Sequence, residues 1–139
     1  MVTDLMTEIE QRCDAIEECY EFLLAYAAKG VPNDDSGQVR DHLRRAARAL
    51  SGLAHCLAEI ARKHRLEPIQ KYQSFLSVLD GDAGKSLAAL ELVLAQSVIS
   101  SQLIDNLNAS IHLRALLTDL FLIDSIFTEH AKQNSALTI

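Results

Sequence analysis

Residues 87–127 read LAALELVLAQSVISSQLIDNLNASIHLRALLTDLFLIDSIF, and no other segment offers so much apolar surface with so few charges. Its apolar residues recur at helical rather than alternating spacing. Near its middle, Asp105-Asn106-Leu107-Asn108 gathers turn-forming side chains. The pattern predicts two helices, 83–105 and 109–132. Asn106 would close the first in a left-handed conformation and Asn108 would cap the second. Both are apolar over more than one stripe. In the second, Ile111, Ala115, Leu122 and Ile126 lie on one side, and Leu113, Leu117, Leu120 and Phe127 lie nearly opposite. One stripe suffices for a surface helix of a monomer, so the hairpin is expected to be central or shared between subunits. Leu113, Leu117, Leu120 and Phe127 are the expected interface of a homodimer or larger oligomer.

Outward from this hairpin the chain stays helical. A short helix is expected over 67–79, with Pro68 in a tolerated first-turn position and Asp80-Gly81-Asp82 breaking the chain after it. Residues 36–65 form a basic helix with the stripe Val39, Leu43, Ala46, Leu50, Ala54, Leu57 and Ala61. Residues 3–29 form an acidic one with Leu5, Ile9, Ile16, Tyr20 and Leu23 on one side. Thr7 and Glu10 have capping-box spacing, Gly30 is its stop, and Pro32-Asn33-Asp34-Asp35 is a turn. The expected architecture is an all-α, up-and-down helical bundle of four long helices plus one short helix, a single domain over residues 1–139.

The totals agree. A chain of 139 residues suits one domain with an ordinary core, and 49% hydrophobic content with five Gly and two Pro argues against disorder. With no Trp and few aromatics, Leu, Ala and Ile must fill the interior, a composition that favours helices. The acidic start lacks the basic region and apolar run of a signal peptide, and charges interrupt the apolar stretch. Cys13, Cys19 and Cys56 match no metal spacing and no even disulfide framework. The expectation is a soluble, cytoplasmic protein with reduced thiols and no membrane segment. The net charge of −6 makes nucleic acid an improbable partner. Residues 1–35 carry nine acids against Arg12 and Lys29, while residues 36–66 carry seven bases against Asp41 and Glu59. The basic helix should therefore lie beside the acidic one.

Few constellations point to chemistry. Gly84-Lys85-Ser86 ends like a phosphate-binding loop, but the position five residues before Gly84 is Leu79 and no strand precedes it. No Glu-x-x-His pair of the di-iron type occurs. His112, Asp119 and His130 fall on one side of the last helix and are the candidate metal set, in a site completed by other helices or a second subunit. Asp119 and Asp124 sit among apolar neighbours, so each must reach solvent, pair, or meet a partner. Arg48 and His55, with six residues between them on one face of the basic helix, resemble the Arg/His pair of the helical HEPN ribonucleases. That resemblance covers two residues, and Ala49 stands where a polar residue usually follows the Arg. The reading the sequence favours is a non-enzymatic intracellular interaction protein, an adaptor, assembly factor or small chaperone, acting by helix-on-helix docking and self-association. The alternative is a bundle holding a metal or small cofactor near its last helix.

Overall fold

A computed structural model describes the backbone of residues 2–137 and the side chains of residues 5–133. Six helices follow one another: α1 Val2–Lys29, α2 Gln38–Leu50, α3 Leu53–Lys63, α4 Ile69–Leu94, α5 Ser101–Ala109 and α6 His112–Leu137. There is no strand among the described residues. Counting α2 and α3 as one segment interrupted at Ser51-Gly52, four long helices and one short helix make up an all-α bundle.

Neighbouring long helices run in opposite directions. Cys56 of α3 lies at Leu5 of α1, Arg12 reaches Ala49 and Ser51, and Phe22 stacks on His42 with ring centres 4.2 Å apart. These contacts set α1 antiparallel to α2 and α3. Arg40 at the start of α2 meets Leu94 at the end of α4. Asp82 of α4 meets Asp119 of α6, while Tyr72 and Phe75 face Leu122 and Ile126. Met6 of α1 shares a cavity with His130 of α6, and Tyr20 lies beside Leu117. The four long segments therefore close a square, α1 to α2–α3 to α4 to α6 and back. Its interior is filled by side chains such as Ile16, Leu23, Leu43, Leu57, Leu79 and Leu116, all with at most 1% of their surface exposed.

The helix boundaries follow from which backbone groups find partners. Gly30, at φ +67°, closes α1 in the left-handed conformation that a Cβ disfavours. Asp34 then caps α2, its carboxylate accepting the N–H groups of Val39 (2.9 Å) and Arg40 (3.4 Å). The end of α2 is capped from another helix: Arg12, held by Glu8, donates to the carbonyls of Ala49 (2.8 Å) and Ser51 (2.6 Å). Arg40 does the same for α4, donating to Leu94 O (3.0 Å) and Gln96 O (2.5 Å). Guanidinium forks suit this work because they present paired donors to carbonyls that the helix itself leaves unpaired.

One buried corner ties the end of α1 to the start of α5. Ser101 Oγ accepts the N–H of Val31 (3.0 Å) and donates to Tyr26 O (2.7 Å). Tyr26 Oη donates to Ile99 O (2.6 Å), and Ser101 N–H donates to Val31 O (3.0 Å). Each of these polar atoms has a partner, which is the condition for burying it cheaply.

Several expected boundaries move. The chain does not break at Asp80-Gly81-Asp82; α4 passes through it, because Leu76, Leu79, Ala83, Ser86, Leu90 and Val93 keep one buried helical stripe across both glycines. Nor does it turn at residues 105–108, which lie inside α5. The real breaks come at residues 95–100, where Ser100 caps α5 by accepting Leu103 N–H (3.0 Å), and at Ser110-Ile111. Asn106 is not left-handed; Ile111 is, at φ +60°. Asn108 caps nothing and instead donates to Leu23 O (3.3 Å). The basic segment expected to be continuous over 36–65 breaks at Gly52, at φ +79°.

Candidate functional site

The seam between α4 and α6 collects the features that core packing alone does not explain. Leu79 and Ala83 of α4 and Leu116 and Ile123 of α6 are buried. At its rim Asp82 and Asp119 face each other across the two helices. Oδ2 of Asp119 is sealed from solvent, and no N–H or O–H reaches it. Two ionised carboxylates cannot hydrogen-bond, since both only accept; a proton on one supplies the donor. Burial first, then the hydrogen bond to Asp82 and its charge, push the Asp119 carboxyl up from 3.8 to about 7.

Two turns away the same seam opens into an apolar groove of about 350 Å³, lined by Pro68, Lys71, Tyr72, Phe75, Leu122 and Ile126. Leu122 is 52% and Ile126 39% exposed, large apolar surfaces for a helix already packed on its other side. Phe121, on the neighbouring stripe, is 53% exposed beside Leu24 of α1. The stripes of α6 are thus reversed from expectation. Leu113, Leu117, Leu120 and Phe127, expected at an interface, are 8% exposed or less and belong to the core of the single chain. The reason is the square arrangement: both α1 and α4 press on α6, and together they take up its wider apolar side. Ile111, Leu122 and Ile126 remain outside.

The expected metal set does not assemble. His112, Asp119 and His130 lie on one helix, and 18 residues at about 1.5 Å each put the two histidines roughly 27 Å apart. No group of three His, Cys, Asp or Glu that could hold an ion occurs among the described residues. Asp119 belongs to the carboxylate pair. His130 instead joins His64, Met6, Ile60, Leu66 and Phe127 around a cavity of about 220 Å³ at the far end of the bundle. Nε2 of His64 is buried there without a hydrogen-bond partner. His64 is the C-cap residue of α3. Its meeting with His130 needed the fold.

Other candidates resolve simply. Asp124 is exposed near Cys13, Asp14 and Glu17 of α1. The Cys13 thiol is pushed up to about 12 by burial and then by Asp124, Glu17 and Asp14, and the Cys19 thiol to about 12 by burial. Neither is set up as a thiolate nucleophile. Gly84-Lys85-Ser86 lies inside α4, with Ser86 buried and donating to Asp82 O (2.9 Å). Arg48 and His55 are both exposed and fall on separate helices, α2 and α3, because the chain breaks between them. The expected pairing of acidic α1 with basic α2 comes down to Arg45–Glu18 at 3.8 Å among the described residues, an exposed ion pair worth little. No helix among them is long and apolar enough to cross a membrane.

No protein-family model, curated protein or solved structure matches this chain. The class defined by fold and surface is that of an all-α four-helix square with an apolar groove on its α4–α6 face.

Proposed function

We propose that the protein is a non-enzymatic intracellular interaction protein that self-associates through the α4–α6 groove. The observation that carries this reading is the apolar groove in which exposed Leu122 and Ile126 stand against half-buried Tyr72 and Phe75. Surface of this kind, rimmed by polar residues, is the usual mark of a docking site. A second copy of the chain suits it. Exposed Leu122 and Ile126 form one wall of the groove, so a two-fold axis would set each wall against the other copy's groove. Lys71 and Glu67, of opposite charge at one end, become mutually complementary under such an axis. Three unpaired thiols accord with a reducing compartment.

Native mass spectrometry tests this. The wild-type chain is expected at twice 15.3 kDa, and a Leu122→Glu/Ile126→Glu variant at the single mass with unchanged helical circular dichroism. A wild-type monomer at micromolar concentration would sink the proposal.

A second reading, a bundle that holds a small ligand, is favoured by the cavity at His64 and His130. Its size and lining suit a small apolar molecule with one hydrogen-bonding group. It predicts extra non-covalent mass on protein as purified, lost in His64→Phe. Protein that carries none, and gains none from a fragment library, excludes it.

A further inference from the structure

We propose that Asp82 and Asp119 form a proton-operated clasp between α4 and α6 that sets the geometry of the groove beside it. The clasp stands on the pairing of two carboxylates across the seam and on an Asp119 oxygen that is sealed and otherwise unpartnered. With one proton shared, a carboxyl donates to a carboxylate and the helices are bonded. With none, two like charges meet, and one of the oxygens is buried without a donor. Asp119 lies three residues from Leu122 and Asp82 seven from Phe75, so strain at the pair passes along both walls of the groove.

Among the described residues no other charge pairs with Asp82 or Asp119: from α1, Glu17 and Glu21 lie beside Arg114 and Leu117, and from α3, Glu59 pairs with Arg62. On α4, Asp80 and Lys85 are exposed; on α6, Arg114 is exposed and Asp124 lies beside α1. From α5, Asp105 is exposed, and Arg40 of α2, which reaches α4, is engaged at Leu94 and Gln96. None of these forms an ion pair with Asp82 or Asp119 among the described residues. The charge acting on Asp119 is that of Asp82.

The direction of the pH dependence follows from linkage. A carboxyl that titrates higher in the folded than in the unfolded chain holds its proton between about pH 4 and about pH 7 only when folded. Its contribution to stability is full below that window, falls as pH rises through it, and is gone above it. The test is thermal melting and amide exchange of wild type, Asp119→Asn and Asp82→Asn between about pH 5 and about pH 8. An Asn amide donates to the remaining carboxylate at every pH, so it imitates the protonated clasp. The variants should lack the wild-type fall in melting temperature and should melt above wild type at about pH 8. Wild type alone should show faster intrinsic-corrected exchange around residues 82 and 119 at the higher pH. Either variant suffices if the other fails to fold, and a variant that keeps the wild-type slope overturns the clasp.

The clasp's effect on docking rests on the self-association proposed above, so native mass is recorded in the same samples. Lost slope with a single mass throughout keeps the clasp and rejects the docking; a double mass with an unchanged slope does the reverse.

Discussion

Ser101 shows how much a single hydroxyl can hold. Its Oγ accepts one backbone N–H and donates to one backbone carbonyl, at positions some 70 residues earlier in the chain, and the residue is 3% exposed. Removing it strands Val31 N–H and Tyr26 O inside the corner. Ser101→Ala should therefore destabilise the fold by about 1–3 kcal/mol, more than a typical surface change. Chemical denaturation checks this, and a loss within error of zero would mean that water replaces the hydroxyl. Nothing in the local sequence marks Ser101 among its serine neighbours. Asp119 differs: its setting among Leu117, Leu120 and Phe121 already demands a partner. What the sequence could not supply was that partner's name, because Asp82 sits in a string that reads locally as a turn.

At the scale of elements, two glycine signals point in opposite directions. Ser51-Gly52 ends a helix, whereas Gly81 and Gly84 lie within one. Intrinsic propensity treats all three alike, at roughly 1 kcal/mol against helix. The difference lies in what surrounds them. At Ser51-Gly52, Arg12 reaches over from α1 to take the carbonyls of Ala49 and Ser51. At Gly81 the apolar stripe on either side stays in phase, and a break would pull Leu79 or Ala83 out of the core. Both glycines of α4 are exposed, and a Cβ at either would meet nothing within 4 Å. Gly84→Ala should thus stabilise the protein by about 0.5–1 kcal/mol, read as a raised denaturation midpoint. A lowered midpoint would show that the glycine has a role in the seam.

Across the whole molecule, the closed square decides which apolar residues are free to dock. Leu120 and Leu122 are two residues apart and chemically identical, yet one is 2% and the other 52% exposed. Glutamate at each should separate core from surface. Leu120→Glu buries a charge among α1, α4 and α6 and should abolish cooperative unfolding. Leu122→Glu should leave the melt nearly unchanged and affect only the native mass. If both variants melted like wild type, the square packing around α6 would be wrong. Long-range charge matters less here than composition suggests. The acidic and basic segments do adjoin, but Arg12 and Arg40 act chiefly as caps on helix ends.

Helicity, the single inward stripes of α1 and of α2–α3, and the surplus apolar surface of the last helix were all legible in the chain itself. Each is a periodicity, and the helical repeat is a local property that neighbouring residues set among themselves. The stops, the choice of which α6 stripe turns inward, the corner at Ser101 and the meeting of Asp82 with Asp119 were decided only by tertiary structure. Each depends on a donor, an acceptor or a packing surface delivered from far along the sequence. Such groups are matched by burial, which no local pattern records.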